Sequence, residues 1–352
     1  MGERIWTPWF IKFIQSRGYF NIYTNLLHER ALSVSHRDAG VNYGKTAGPD
    51  SKLLEEKSLD FNILEVQPLR SLRWYDFCFR EVHPGKVATN LEELGSLLHS
   101  LQKQDSVFLV NLFGVSDAIS RNLLCHFERL DIRNYILMGP PSDSLFDLAR
   151  RGHPVINVDK FISSVGLSKF TSQGLSFETI KGILAKTYAI KKCIENRYNT
   201  WVMDGSMLLT SDLFLSESED SNGDFFVANN LELFYAKSSS SSQKIWVDGF
   251  VSKVVAMAES LAGKDSATHG SLSFVYVVIK LLEQNGARIR RVDENSFATK
   301  IGSGSETSLR DKKLVYWSSE MELNSIQKWL DEFNLWSIDS DLSCTAVVCH
   351  KS

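Results

Sequence analysis

The sequence lacks an uninterrupted apolar run of the about 18 residues that a membrane-spanning helix needs. Its apolar opening, from Ile5 to Ile14, is broken by Pro8 and Lys12 and has no small-residue cleavage site after it. That stretch is therefore neither a span nor a secretory signal. It reads as an interfacial or packing segment, or as the end of a longer amino-terminal region. An excess of charge is missing too. The 39 Lys and Arg against 42 Asp and Glu leave a net of −3, which gives no electrostatic case for nucleic acid or a membrane surface. No Asn-x-Ser/Thr acceptor occurs, so N-glycosylation offers no clue to location. The five cysteines, 78, 125, 193, 344 and 349, are odd in number and show no zinc-type spacing. No disulfide framework is implied; there is room for one bridge, and the redox compartment stays open. A true phosphate loop is absent as well. Gly40-Val41-Asn42-Tyr43-Gly44-Lys45-Thr46 has three residues between its glycines where such a loop has four, and Gly48-Pro49 stops any helix from Lys45. There is no internal repeat.

What is present suits a globular protein. A chain of 352 residues makes one large domain or two smaller ones. Its 43% hydrophobic and 23% charged residues are an ordinary balance. Eight Trp and 21 Phe supply a core, or stacking walls for sugars and bases.

From about residue 106 a regular alternation sets in. Residues 107–112, 135–138, 155–158 and 200–203 have the length and apolar content of buried strands. Between them, 118–130, 144–151 and 177–197 repeat apolar residues at helical spacing. Before them a strand is expected at 61–66, and Asn90 is placed to cap a helix over 91–102. Ser142-Asp143 can cap the 144–151 helix and Gly152 can stop it. Strands separated by helices predict an α/β fold with a mainly parallel sheet and right-handed crossovers. Further on, 225–228 and 231–236 suit a hairpin, and the serines 238–242 suit a flexible loop. A helix is expected over 244–261, a helix or long strand over 271–284, strands at 287–292 and 313–317, and a last helix over 321–333.

The alternation leads to Thr200-Trp201-Val202-Met203, a buried strand ended by Asp204-Gly205. Open α/β sheets bind ligands outside the carboxyl ends of their strands, and an acid there can hold a divalent cation. The other reading of Asp204-Gly205 is a plain turn.

In this order the pieces from about Ser106 to Phe297 resemble the nucleotide-diphospho-sugar transferase domain of plant glycosyltransferase family 77. The similar segments are 107–111 ending at Asn111, then Asn122-Leu123-Leu124, then Arg129-Leu130-Asp131-Ile132-Arg133-Asn134-Tyr135. Arg151-Gly152-His153-Pro154-Val155 follows, then Lys186 in the helix before the acid strand. Asp204-Gly205-Ser206 stands at the family's Asp-x-Asp motif, and Asn230 opens a strand ending Ala236-Lys237-Ser238. Residues 28–53 resemble an amino-terminal part of one plant branch.

The resemblance implies a GT-A-like, Rossmann-like domain over 104–352, with 1–103 an extension packing on the core. It implies retaining transfer from a nucleotide sugar, a UDP-sugar above all, with Mn²⁺, in the Golgi. The implied acceptors are cell-wall polysaccharides or glycoproteins. Many members carry an amino-terminal anchor, and no spanning run is visible in this chain. Asp204 would be the catalytic-site acid, holding the metal or the ribose side of the donor. Asn111 and Asn122 would set nucleotide or sugar hydroxyls, helix-end bonding being the other role for Asn122. Lys186 would offer charge to the diphosphate, or lie on a solvated helix face with Lys181 and Lys192. Asn230 would touch donor or acceptor, or make a strand-end hydrogen bond. The chain departs from the family in three places. Ser206 replaces the second acid, Leu231-Glu232 fills space left open by a Thr-Gly, and His269-Gly270 stands where an acid-Gln pair is expected. The missing second acid favours a second reading, a non-catalytic transferase-fold partner or scaffold in a Golgi glycosyltransferase complex, while the intact strand-Asp-turn order favours the enzyme.

Overall fold

Val107, Phe108, Leu109 and Val110 contain no polar residue, so a strand built from them needs cover on both faces. They occupy β2 (Ser106–Asn111) inside an eight-stranded sheet. The structure, a computed structural model, describes residues 7–22, 30–31, 52–53, 72–76, 78–171, 175–211, 223–228, 231–262, 273–302 and 312–350. The expected strand at 61–66, the glycine-containing loop at 40–46, Asn230 and His269 lie outside the described residues.

The other strands of the sheet are β1 (Val87–Ala88), β3 (Tyr135–Gly139), β4 (Val155–Asn157), β5 (Asn199–Asp204), β7 (Phe225–Ala228), β8 (Phe234–Ala236) and β9 (Ile289–Val292). Their order is β9-β7-β8-β5-β2-β3-β4-β1. Every neighbouring pair is parallel except those of β8, which runs antiparallel to both β5 and β7. The fold is α/β with a mainly parallel sheet, as the alternation predicts. A smaller sheet joins β6 (Met207–Leu209), β11 (Leu314–Tyr316) and β10 (Ala298–Lys300), in the order β6-β11-β10.

The strand period of two divides the core into two layers. Val107 and Leu109 pack on one side with α2 (Leu91–Leu101), α5 (Val158–Ser164), α6 (Leu175–Glu195), α8 (Val251–Ala262) and α9 (Phe274–Gln284). Phe108 and Val110 pack on the other with α3 (Asp117–Arg129), α4 (Asp143–Arg150), the smaller sheet and α10 (Leu323–Glu332). Asn90 and Ser142 cap α2 and α4 through their side chains. Gly152 takes a φ of +99° after α4, a conformation glycine reaches without the Cβ penalty.

The serines at 238–242 are not a flexible loop. Ser239 and Ser242 form a capping box that starts α7 (Ser240–Ile245), and Ser242 is buried. Serine hydroxyls satisfy the first N–H groups of a helix. The apolar opening of the chain is α1 (Thr7–Arg17). Its Ile14 is buried. Arg150 and Arg151 donate to the carbonyl oxygens of Gln15, Ser16, Arg17 and Gly18, the groups a helix end leaves without partners. No helix among the described residues is long and apolar enough to cross a membrane.

The chain divides into two compact units, Met1–Gly18 with Asp76–Ser352, and Tyr19–Tyr75. The first holds α1, both sheets and every helix named above. In the second, Arg30–Ala31 pairs in parallel with Lys52–Leu53, and the Phe20 and Trp74 rings meet edge to face at 4.8 Å.

Candidate functional site

β2 and β5 are parallel neighbours, in a register that sets Asn111 opposite Asp204 at their carboxyl ends. Asn111 Nδ2 donates to Asp204 Oδ1. One residue on, the Gly205 N–H donates to Asn111 O at 2.8 Å. A Cβ at position 205 would stand 2.8 Å from Val115 Cγ2 and 3.2 Å from Asn111 O. Glycine therefore allows the chain to turn this close to its neighbour.

The long helix α6 brings Lys186 to the same place. Its Nζ is 3.8 Å from Asp204 Oδ2 and 3.5 Å from Glu232 Oε2, and the side chain is 4% exposed. The ammonium also stands 5.3 Å from the centre of the Phe274 ring, a cation–π contact. A solvated helix face shared by Lys181, Lys186 and Lys192 is thereby corrected. Lys181 and Lys186 are both buried, Lys181 against Asp159 at 3.0 Å. The cause is α6 itself, which packs among α2, α5, α8 and α9 rather than against water.

Glu232 was not among the residues the sequence singled out for chemistry. It enters through β8, which is antiparallel to β5 with Phe234 opposite Val202. The same register continued toward the start of β8 puts Glu232 beside Asp204. Carboxylates so placed repel, and the Lys186 ammonium between them offsets that repulsion. Burial raises the Asp204 carboxyl above its ordinary range; Lys186 opposes this and Glu232 adds to it. The signal in the sequence was an acid inside the strand expected at 231–236, of which only Phe234–Ala236 pairs as β8. It became legible only with the pairing of β8 to β5.

The other expected residues lie differently. Ser206 is half-buried in the turn between β5 and β6, and its carbonyl accepts the Trp317 N–H at 3.2 Å. Asn122 does not join the cluster. On α3 it donates to Leu335 O at 3.1 Å and accepts the Ser337 N–H at 2.6 Å. Its amide is spent on holding the carboxyl-terminal segment.

The expected Mn²⁺ does not fit these residues. One oxygen of Asp204 receives the Asn111 amide and the other faces the Lys186 ammonium. Ser206 supplies no carboxylate. Among the described residues no three His, Cys, Asp or Glu side chains converge. Hard divalent cations bind carboxylate oxygens that are turned toward them, and here hydrogen donors hold that position. What the cluster can do is accept hydrogen bonds from hydroxyls through Asp204, Glu232 and Asn111 Oδ1, and offer one cation to anionic oxygens.

No protein-family model matches the chain, and no curated protein matches it. Among solved structures it is similar to the apo structure of the bifunctional glycosyltransferase WbbM, with a TM-score of 0.40 and 9% identity, over 73% of this chain and 54% of that chain. The match thus spans about half the length of WbbM. It is also similar to mouse xyloside xylosyltransferase 1 in its apo form, with a TM-score of 0.37 and 11% identity, over 62% of this chain and 98% of that chain.

Proposed function

We propose that this chain is a GT-A-type glycosyltransferase. It binds a nucleotide-diphospho-sugar, a UDP-sugar, at the carboxyl ends of β2 and β5. It transfers the sugar, with retention, to a cell-wall polysaccharide or glycoprotein acceptor. The observation that carries this reading is the convergence of Asn111, Lys186, Asp204 and Glu232 at two adjacent parallel strand ends. Ligands of open α/β sheets bind at such ends. The group set suits a sugar nucleotide, because carboxylate and amide oxygens accept from ribose and sugar hydroxyls while an ammonium meets phosphate oxygens.

The chemistry demanded of the site is modest. As the sugar departs, negative charge grows on the diphosphate, and a fixed cation in a water-poor site stabilises it. Lys186 is such a cation, and Asp204 and Glu232 hold it in place. Asp204 is the central acid of the site and orients the donor through its hydroxyls. The retaining course, the Golgi and the cell-wall acceptor follow the resemblance to family 77. Two disulfides, Cys78–Cys349 and Cys125–Cys344, support a lumenal setting, since disulfides persist in oxidising compartments.

The test is calorimetric titration of UDP and UDP-sugars into the purified chain and into Asp204→Ala. The expected result is binding that Asp204→Ala weakens by about tenfold or more, equal to roughly 1.4 kcal/mol. A folded protein that binds no nucleotide sugar under any condition would sink the proposal. It would leave the partner or scaffold reading, which the loss of the second acid at Ser206 favours.

A further inference from the structure

We infer that the donor site works without a divalent metal ion, the Lys186 ammonium taking the ion's place against the donor diphosphate. This rests on the reading of the chain as a nucleotide-sugar transferase.

Three observations carry it. First, the Lys186 side chain is 4% exposed, yet its nearest carboxylate oxygens are 3.5 and 3.8 Å away. A charge-assisted N–H···O bond is about 2.7–2.9 Å long. Among the described residues the ammonium is thus held in a field of acids without a hydrogen bond of normal length. A buried ammonium held at ion-pair distance leaves room for the anionic oxygens of a ligand to approach it more closely. Second, Asn111 Oδ1 beside it is buried and has no hydrogen-bond partner among the described residues. An unpartnered acceptor and a buried cation, on two residues that both contact Asp204, describe a site shaped for something with N–H or O–H donors on one side and anionic oxygens on the other. A nucleoside diphosphate has both. Third, a metal ion would have to share Asp204 with Lys186. Moving a doubly charged ion to within coordination distance of Asp204 Oδ2 would place it a few ångströms from the ammonium, where like charges repel strongly. The second acid that would hold such an ion is Ser206. Glu232, the other carboxylate, already faces the same ammonium.

The lysine is also well chosen for this task. Its stem is buried in the layer formed by α6, α8 and α9, and the Phe274 ring covers one side of the ammonium. The charge therefore arrives with the fold and needs no ion from solution.

The experiment measures UDP and uridine binding to the full chain by calorimetry, in EDTA and in Mn²⁺, for the native protein, Lys186→Gln and Lys186→Arg. The native chain is expected to bind UDP with the same Kd, within about twofold, in EDTA and in Mn²⁺. Lys186→Gln is expected to weaken UDP by about tenfold or more and to leave uridine unchanged, since uridine has no diphosphate; Lys186→Arg should keep most of the UDP affinity. Thermal melting shows whether each variant is folded. Should Lys186→Gln fail to fold, the EDTA comparison and Lys186→Arg still decide. UDP binding that appears only with Mn²⁺ overturns the inference and leaves the transferase reading standing. So does an unchanged UDP affinity in folded Lys186→Gln. Absence of binding by UDP and uridine alike, in both media, overturns the inference and the transferase reading together.

Discussion

Cys125 on α3 is bonded to Cys344, 219 residues further along the chain. The same helical face, repeating at three and four residues, carries Asn122, His126 and Arg129. Asn122 and His126 bond Leu335 and Ser337, and Arg129 donates to Ser337 Oγ at 3.1 Å. A second bridge, Cys78–Cys349, fixes the end of the chain. The expectation from sequence, which implied no disulfide framework and allowed for one bridge, is corrected to two. Cys193 is the unpaired cysteine, buried and with its thiol pushed up to about 12 by burial.

Alkylation of the unfolded, unreduced protein should therefore label one cysteine, Cys193, and labelling after reduction should reach all five. Replacing Cys125 and Cys344 by Ala should destabilise the chain by about 2–5 kcal/mol, as removal of a bridge closing a long loop does. Mass spectrometry and a denaturant melt check the two halves of this prediction. Labelling of all five thiols without reduction would show that the bridges do not form.

Asn122 separates structure from chemistry. Its removal in Asn122→Ala strips the buried Ser337 N–H of its partner and leaves Leu335 O to His126, which costs about 1–3 kcal/mol. UDP affinity should not move. A variant with native stability and weakened UDP binding would return Asn122 to the donor site.

The strand and helix pattern was legible in the sequence wherever a segment buried both faces. The run 107–110 has no polar residue to confuse its period, and β2 covers Ser106–Asn111. The 177–197 pattern likewise became α6. The order of strands was not legible, because it depends on long-range pairing. The hairpin expected of 225–228 and 231–236 forms as β7 and β8, but nothing local in Phe234-Tyr235-Ala236 announces that β8 also pairs antiparallel with β5. Glu232 reached the site through that pairing. The cysteine pairing was hidden for the same reason, since Cys78 and Cys125 meet residues over two hundred positions away. For Lys186 the local pattern misled. Three lysines on a helix resemble a wet face, and only the packing of α5, α8 and α9 around α6 buries two of them.

Two buried histidines give a pH dependence with a definite sign. Burial holds His126 at about 4, with the Leu335 carbonyl opposing and Arg129 assisting. Burial likewise holds His153 at about 4, aided by Arg121 and Arg151. Between roughly 6.5, the value of an unfolded histidine, and these lowered values, the unfolded chain takes up protons that the folded chain refuses. Stability contributed by both residues is complete above that window and is lost as pH falls through it. The urea midpoint should drop from about pH 7 to about pH 5, and less steeply in His126→Gln, which does not titrate. Equal slopes for the two proteins would mean that His126 is not buried neutral.

Gly205 tests the geometry of the strand ends directly. Val115 Cγ2 would lie 2.8 Å and Val115 Cγ1 3.1 Å from a Cβ at position 205, with Asn111 O at 3.2 Å. The valine can be cut back; the backbone oxygen cannot. Gly205→Ala should therefore destabilise the chain by about 1–3 kcal/mol, the usual cost of overpacking. Val115→Ala in the same chain should recover part of that loss and not all of it, because the contact with Asn111 O remains. The shift should also loosen the Asn111–Asp204 contact and weaken UDP more than the stability loss alone explains. A denaturant series on the two single variants and the double variant, with UDP titrations beside it, measures the coupling. Additive losses with no recovery in the double variant would mean that Val115 does not press on the turn after Asp204.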